Sequence, residues 1–315
     1  LDSQPMGFYS PATLVADARR HGVEVRRPDL HASGVGTLLE PLADATPLGG
    51  LDACLAHSQP PVGLYDPDAP DESAAHRRDG GFAVRLGLAR ITGIGPETAE
   101  AIVAERARGG PYRNMAELVR RTGLTRSQLE ALAGAGAFDT LGLTRRAALW
   151  QAGAAARDRP DTLAGATLVL QPPLFSDQRA FELLTEDLRA TGVSVDDHPI
   201  THFRSTLDAR GVITSRGLRD AEPGRRIEVA GLVTHRQRPS TASGITFVNL
   251  EDEHGLVNVV CSPGLWDRYR RVARGSAALI VRGLLERSSE GVVSVLADRI
   301  EPLSVGLRHT SRDFR

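Results

Sequence analysis

Lysine is missing from this 315-residue sequence, so all 38 of its basic side chains are arginine. Guanidinium groups suit paired contacts with phosphates and carboxylates, but a bias that runs through the whole chain indicates no particular site. Aromatic residues make up only 4% of the sequence. We therefore expect hydrophobic cores built from aliphatic side chains.

Cysteine is scarce, and long apolar runs are absent. Cys54 and Cys261 lie far apart, which excludes a disulfide framework and a zinc ribbon and favours a reducing compartment. No apolar stretch approaches the roughly 20 residues that a transmembrane helix needs, and no signal peptide is recognisable. We expect a cytoplasmic protein that does not bind membranes. Because patterned sequence begins at Leu1, we also expect it to be part of a longer protein.

The net charge of −1 hides an alternation along the chain. Residues 85–150 and 225–315 each carry an excess of four arginines over acids, whereas residues 1–84 and 151–224 are acidic. Two basic patches favour a nucleic-acid partner, although solvated faces of many proteins reach a similar charge.

Composition and periodicity divide the chain into segments. In residues 1–88, a helix beginning at Pro11 and strands near Val25 and at 82–88 flank a stretch at about 41–81 that is acidic and rich in Pro and Gly. That stretch predicts a mobile insertion. Short helices joined by glycine turns occupy residues 89–150. Residues 151–224 predict a linker followed by helices, the first at 181–192.

From residue 225 the hydrophobic period changes to two, which predicts five strands. A helix over 263–275 separates the third strand from the fourth. This order is typical of a five-stranded OB-type barrel over 225–303, with a tail at 304–315. An antiparallel sandwich is the alternative. The predicted fold class is an α+β multidomain protein, with a helical region preceding the barrel.

Two glycines stand directly before a helix in the segment ITGIGPETAEAIVAER (91–106). Glycine permits a tight bend and a close approach to the backbone, and Pro96 starts the helix. The first amides of a helix lack partners and carry partial positive charge, so an anion fits there. The layout predicts a helix-hairpin-helix element that binds a nucleic-acid phosphate, and a plain helix–helix turn is the alternative. The predicted contact residues are Arg90, Thr92, Gly93, Ile94 and Gly95.

A second, degenerate copy follows in ALAGAGAFDTL (131–141), where Phe138 would be the buried anchor. Such elements usually occur as a tandem, so we expect a further phosphate contact at Gly134 and Gly136. Neighbouring arginines would add salt-dependent contacts with duplex DNA. These arginines are Arg106, Arg120 and Arg121.

An OB barrel binds single strands by stacking bases on exposed aromatic side chains within a basic groove. Phe247 on the second strand is the candidate platform. Its apolar neighbours leave its face undecided, and a place in the core is the alternative. Arg236 and Arg238, at the end of the first strand, are candidates for backbone contacts.

The spacing of His198 and His202 would allow a metal pair on a helix. The sequence Asp-Asp-His-Pro is also typical of a helix start, and we interpret both histidines as structural. No metal ligand or catalytic residue is predicted in this chain.

Several stretches, in this order, resemble bacterial error-prone C-family DNA polymerases, relatives of the DNA polymerase III alpha subunit. They are QPMGFYSPATLVADARRHGVEVRRPD, ITGIGPETAEAIVAER, AGAFDTLGLTRRAALW, RATGVSVDDHPITHFR, TFVNLEDEHG and SRDFR. The resemblance implies that residues 1–88 end a fingers domain, that 89–150 is a tandem helix-hairpin-helix region on duplex DNA, and that 225–303 is an OB domain near the template strand.

The resemblance also implies that the parent enzyme is a DNA-directed polymerase acting in damage-induced translesion synthesis on primer–template DNA. Its Mg²⁺-binding aspartates would lie in a palm domain that no stretch of this chain matches, so the chain alone should be inactive. Residues 171–175, QPPLF, resemble a sliding-clamp docking pentapeptide. The candidate clamp contacts are Gln171, Leu174 and Phe175.

Alternatives to these interpretations remain open. Leu174 and Phe175 could instead pack against the following helix, and error-prone members are thought to reach the clamp through a Y-family-like partner. A non-enzymatic DNA-structure-binding protein could also combine hairpins with a barrel. A ligase fragment is disfavoured, because ligases with both modules carry a four-cysteine zinc site between them.

Overall fold

The computed structural model describes residues 9–20, 23–42, 82–157, 178–289 and 291–306, together with the backbone of 312–314. The chain divides into two compact units. The hairpin unit contains residues 23–42, 82–157 and 178–195, and the barrel unit contains residues 9–20 and those from 196 onward. The predicted insertion lies almost entirely outside the described residues.

The described helices and strands follow in chain order. The helices are α1 (Pro11–Arg20), α2 (Pro96–Gly109), α3 (Met115–Thr122), α4 (Arg126–Gly134), α5 (Arg145–Ala155), α6 (Ala180–Thr191), α7 (Arg204–Ala209) and α8 (Pro263–Gly275). The strands are β1 (Val25–Arg26), β2 (Leu38–Pro41), β3 (Phe82–Arg85), β4 (Val212–Ile213), β5 (Arg226–Gln237), β6 (Thr246–Glu251), β7 (Leu256–Cys261), β8 (Ala278–Arg287), β9 (Val293–Pro302) and β10 (Arg312–Phe314). None of the described helices is long and apolar enough to cross a membrane.

Local capping explains where the helices of the hairpin unit begin. Asn114 accepts a hydrogen bond from the Glu117 amide at 2.9 Å, and Thr125 and Gln128 form a reciprocal capping box at the start of α4. Each cap satisfies amides that the first helical turn leaves without partners. The glycine-rich connections predicted from the sequence therefore join helices with well-defined ends.

Aliphatic side chains fill the core of the hairpin unit, as the composition predicts. Its interior includes Ile102, Leu118 and Leu129, and Phe138 is buried among them. A small sheet lies in the same unit, with β1 parallel and β2 antiparallel to β3. Helix α5 continues to Ala155, so the predicted linker begins a few residues later than residue 151.

The barrel unit is a closed five-stranded barrel. Each of its strands pairs with two others in the closed order β5–β6–β7–β9–β8, with only β7 and β9 parallel. Helix α8 connects β7 to β8, as the sequence predicts, and the OB-type fold is confirmed. Its core again consists mainly of aliphatic residues, such as Val248, Leu250 and Val259.

Two glycines let the barrel close. A side chain at Gly231 would place Cβ 2.7 Å from the Glu251 carbonyl oxygen, and one at Gly283 would come within 2.3 Å of the Leu296 carbonyl oxygen. Such contacts are far inside van der Waals distance, so the backbones approach closely only because these residues lack Cβ.

Helix α1 is attached to the barrel through a buried carboxylate. Glu251 on β6 accepts hydrogen bonds from Thr13 Oγ1 and Arg20 Nη1, both at 3.2 Å. Burial raises the pKa of Glu251, and Arg20 opposes this shift. Because β1, β2 and β3 lie in the hairpin unit, the segment predicted as one domain, 1–88, is divided between the two units.

Candidate nucleic-acid interface

The first bend, residues 91–95, has a buried base and an exposed tip. Ile91 and Ile94 are buried in the core, whereas Thr92, Gly93 and Gly95 are exposed. Gly93 has φ +94°, a conformation that only glycine adopts without strain. The two isoleucines thus fix the bend to the core and present its backbone outward.

Gly95 has no evident structural reason to be glycine. Its φ and ψ of −75° and 165° suit any residue, and an added Cβ would meet nothing within 4 Å. At the N-cap of α2, Ser, Asp or Asn would stabilise the helix at least as well. A glycine at such a position leaves the backbone open to an external group that must come close.

The amides of the bend are divided between internal partners and solvent. The Thr92 amide donates to the Ala190 carbonyl at 2.7 Å, and the Ile94 amide donates to Ile91 at 2.9 Å. Both of these donors are therefore engaged inside the protein, and the phosphate contacts predicted for Thr92 and Ile94 stay predictions. Within the described ranges, no acceptor meets the amides of Gly93 and Gly95.

The first turn of α2 adds two more donors. Neither Glu97 N–H nor Thr98 N–H has a side-chain cap or a backbone acceptor among the described residues. Four backbone donors therefore face the same helix start, where the helix dipole also favours negative charge. Glu97 is the acidic side chain of this turn, and its charge opposes the attraction.

Arg90 lies immediately before the bend and is half-buried. It makes no hydrogen bond or ion pair with any described residue, and its Nε atom is buried without a partner. A buried donor that is left unsatisfied is costly. The DNA contact predicted for Arg90 stays a prediction.

The second bend differs from the first because it is closed. Residues 132–138 are all buried, and the Gly136 amide donates to the Ala133 carbonyl at 3.0 Å. The Ala135 amide is likewise engaged, by Ala131. The Gly136 amide is therefore engaged within the protein, and the DNA contact predicted at Gly134 and Gly136 stays a prediction.

A buried ion cluster covers this second bend. Arg145 donates to the Gly134 carbonyl at 3.0 Å and pairs with Asp187, and both of these side chains are about 5% exposed. Arg27 also binds Asp187, with distances of 3.1 and 3.0 Å to its two oxygens. These charges join α5, α6 and the end of β1, so the second element has a structural role.

Two of the neighbouring arginines are also used internally. Arg106 donates to the carbonyls of Leu30 and Ser33 at 2.6 and 2.8 Å. Arg121 pairs with Glu105 and Glu117. The contacts predicted for Arg106, Arg120 and Arg121 with duplex DNA stay predictions.

On the barrel, Phe247 lies outside the core. Its neighbours Thr246 and Val248 are buried, whereas Phe247 is half-buried on the opposite face of β6. It lies opposite Val260 on β7, which in turn lies opposite the exposed Leu296 on β9. The three side chains form an apolar row on the outer surface, with Phe247 as its aromatic member.

The two arginines predicted beside this face have different positions. Arg238 is exposed and makes no ion pair with a described residue. Arg236 is buried, and donates to the carbonyls of Ala273 and Ser276 at 2.7 and 3.2 Å. Its guanidinium is thus engaged with carbonyls at the end of α8, and the backbone contact predicted for Arg236 stays a prediction.

A neutral histidine lies on the same outer face. His235 is opposite Asn249 in the β5–β6 register, and its ring nitrogens contact Thr234 Oγ1 at 3.1 Å and Asn249 Nδ2 at 2.5 Å. Burial lowers the pKa of His235, so the ring is uncharged at pH 7. The buried ring contributes hydrogen-bonding groups and no charge to this face.

The part of the chain that the structure describes offers no metal centre. His202 Nε2 contacts Asp197 Oδ2 at 2.7 Å, and His198 Nδ1 accepts from the Ile200 amide. No three side chains of His, Cys, Asp or Glu come together there as metal ligands. The Mg²⁺ that the resemblance implies therefore finds no fitting ligands among the described residues. Gln171, Leu174 and Phe175 lie outside those residues.

The chain is similar in sequence to two nucleic-acid-binding families and to several named bacterial proteins. Residues 22–148 match the family described as "Helix-hairpin-helix motif", and residues 227–303 match "OB-fold nucleic acid binding domain". Proteins named error-prone DNA polymerase from Cutibacterium acnes and Nocardia farcinica are 53% and 46% identical to the chain over its whole length. The chain is homologous to error-prone DNA polymerases.

The resemblance stated from the sequence is thereby confirmed. A relative from Mycobacterium tuberculosis, with the same name, is 44% identical over 100% of the chain. The chain spans about a quarter of the length of these relatives, 25–28%. Among solved structures, asparaginyl-tRNA synthetase from Pyrococcus horikoshii matches 29% of this chain with 22% of its own length. The sequence identity is 16% and the TM-score is 0.25. That likeness is too low to carry an argument.

Proposed function

We propose that this chain is the DNA-binding region of an error-prone DNA polymerase. It would hold duplex phosphates at the first bend and the single-stranded template on the outer face of the barrel. The observation that carries the proposal is the exposed bend at Gly93 and Gly95, whose amides have no acceptor within the described ranges.

The bend suits a phosphodiester for three physical reasons. Backbone amides bind phosphate regardless of base sequence, as a translesion enzyme on varied templates requires. Hydrogen bonds to a charged group contribute about 1.5–3 kcal/mol each. The half-buried guanidinium of Arg90 adds a positive charge beside the amides. These contacts would fix the position of a strand without selecting its sequence.

The barrel suits an unpaired strand. Base stacking on an aromatic side chain contributes about 1–3 kcal/mol per base, and Phe247 presents its ring on the outer face of β6. Val260 and Leu296 extend an apolar surface from it across two further strands. Arg238, exposed in the adjoining loop, would contact the backbone of the same strand.

Catalysis belongs to other parts of the enzyme in this proposal. Nucleotidyl transfer and the Mg²⁺ that supports it would depend on residues outside this chain, so the chain alone binds DNA and does not extend a primer. The enzyme would act in the bacterial cytoplasm. It would meet the sliding clamp either through Gln171, Leu174 and Phe175 or through a Y-family-like partner, and clamp binding that survives L174A/F175A would refute the direct route.

A non-enzymatic DNA-structure-binding protein is less well supported. It would need the two nucleic-acid modules but would not need similarity outside them. The homology to error-prone polymerases extends over 100% of the chain, including the stretch between the two modules. That extent favours the polymerase.

A salt series tests the proposal. Binding of the 315-residue chain to duplex and to single-stranded oligonucleotides is measured by fluorescence anisotropy from 50 to 300 mM salt. About four phosphate contacts on duplex DNA predict a slope of log K against log salt near −4. A slope near zero, or no binding, would refute the proposal.

Phe247→Ala separates the two modules. It should weaken single-strand binding by about 1–3 kcal/mol and leave duplex binding nearly unchanged. Trp150→Ala is the matched control, since Trp150 is an exposed aromatic residue in the hairpin unit. Equal loss on both substrates would contradict separate roles for the bend and the barrel.

A further inference from the structure

Helix α8 carries a basic face that the barrel fold does not need. Four of its arginines are exposed, and none of the four makes an ion pair with a described residue. They are Arg268, Arg270, Arg271 and Arg274. Arg268 lies 5.5 Å from the ring centre of Tyr269, which leaves its guanidinium open to solvent.

Helical geometry places these side chains together. At about 100° per residue, the four arginines fall within an arc of about 160°, and the buried Trp266 and Ala273 lie outside that arc. Asp267 is the acidic residue within the arc. Arg274 also suits the negative end of the helix dipole, but Arg268 lies in the middle of the helix, where this explanation does not apply.

Three other arginines of the barrel unit have acidic partners. Arg210 pairs with Glu228 and Glu301 at 2.6 and 2.8 Å. Arg226 and Arg282 both pair with Asp298, at 3.0 and 2.7 Å. The face of α8 therefore carries four arginines against the single acidic residue Asp267, and such an excess of positive charge attracts a polyanion.

The basic face begins beside the apolar row of the barrel. Phe247 lies opposite Val260, the strand β7 ends one residue later, and α8 starts at Pro263. Gly244 lies in the loop between β5 and β6. A Cβ added at Gly244 would be 3.4 Å from the Pro263 side chain and 3.5 Å from the Arg238 guanidinium, so both groups lie next to this glycine. Arg238 thus connects the Phe247 face to the start of α8.

We propose that the exposed arginines of α8 bind the sugar-phosphate backbone of the single strand whose bases stack on Phe247. The inference rests on the proposed function and extends it to a surface outside the OB strands. Arginine suits the role, because its planar fork binds phosphate oxygens in pairs. From Arg268 to Arg274 the helix rises about 9 Å, enough for contacts with more than one phosphate.

A matched pair of double variants tests the inference by salt dependence. R271Q/R274Q should reduce the slope of log K against log salt for oligo(dT) by about 1.4, since each lost single-strand contact contributes about 0.7. R226Q/R299Q removes the same charge from exposed, ion-paired positions of the same barrel and should leave the slope unchanged. If both variants keep the slope of the unaltered chain, the inference is overturned. It is also overturned if the two variants reduce the slope by the same amount.

The absence of lysine permits a direct footprint. Arg271→Lys introduces the first side-chain amine into the chain, so an amine-reactive ester will label that position and the N-terminus. Bound oligo(dT) should reduce labelling at residue 271 several-fold and should not protect the control Arg226→Lys. Undiminished labelling at residue 271 in the bound complex would overturn the inference.

The outcomes separate this inference from the proposed function. If the unaltered chain binds no DNA, both fail. If it binds oligo(dT) through Phe247 but residue 271 is unprotected and R271Q/R274Q keeps the slope, the inference fails and the proposed function stands. Weakened capture of an acidic polypeptide by R271Q/R274Q, without any change in DNA binding, would assign this face to a protein partner and overturn the inference.

Discussion

Gly95→Asp should make the protein slightly more stable and a much weaker binder of duplex DNA. The position is the N-cap of α2, where aspartate is among the preferred residues, and the backbone conformation there accepts any side chain. The introduced carboxylate can accept a hydrogen bond from the Thr98 amide and interacts favourably with the helix dipole. We expect a gain of a few tenths of a kcal/mol in the free energy of unfolding.

The same change should remove the proposed phosphate site. The carboxylate occupies the open space beside Gly95, takes one or two of the free amides and repels a phosphate. Losing one or two charge-assisted hydrogen bonds costs about 2–4 kcal/mol of binding free energy. This loss raises the dissociation constant by about 30- to 700-fold. Stability and DNA affinity should therefore change in opposite directions.

Fluorescence anisotropy on a duplex oligonucleotide and thermal unfolding measure the two effects on the same samples. Asn114→Asp is the matched control, since it adds the same charge at the exposed N-cap of α3 in the same unit. It should change duplex affinity less than threefold. Duplex binding by Gly95→Asp that equals the control, in a folded protein, would refute the assignment of the first bend.

Three further predictions concern groups that the structure buries. Arg236→Ala should lower the free energy of unfolding of the barrel by about 2–3 kcal/mol in urea, because α8 loses two charged hydrogen bonds; an unchanged midpoint would contradict its capping role. Asp187→Asn should cost about 3–5 kcal/mol by leaving Arg27 and Arg145 uncompensated, measured by thermal unfolding. Burial raises the pKa of Cys261 to about 12, so its thiol should react at pH 8 only after unfolding. Because the unfolded thiol ionises near pH 9, the free energy of unfolding should fall between about pH 9 and 12.

Local pattern was sufficient for the elements of the barrel and for the first bend. Alternation over single strands predicts β5 to β9 to within two residues of the observed bounds, because one buried face imposes a period of two. Likewise, Gly-Ile-Gly-Pro contains both the bend and the helix start that follows it. In these cases the physical cause lies within a few neighbouring residues.

Local pattern was insufficient where the interacting residues lie elsewhere in the chain. The second bend has the glycines of an exposed hairpin, but it is closed by Arg145 and Asp187, which no local pattern connects to it. The guanidinium of Arg236 binds carbonyls at the end of α8, which lie 37 and 40 residues further along the chain. The face of Phe247 was undecidable from its apolar neighbours, and packing of Val248 into the barrel decides it.

The closure of the second bend has a mechanical consequence. A tandem of two open bends would bind a duplex at two points and fix its direction. A single open bend would bind the duplex at one point and leave it free to rotate about that contact. The direction of the duplex axis would then depend on the other protein contacts with the DNA. Under the proposed function, such a single contact would let the chain stay bound to a bent or distorted duplex.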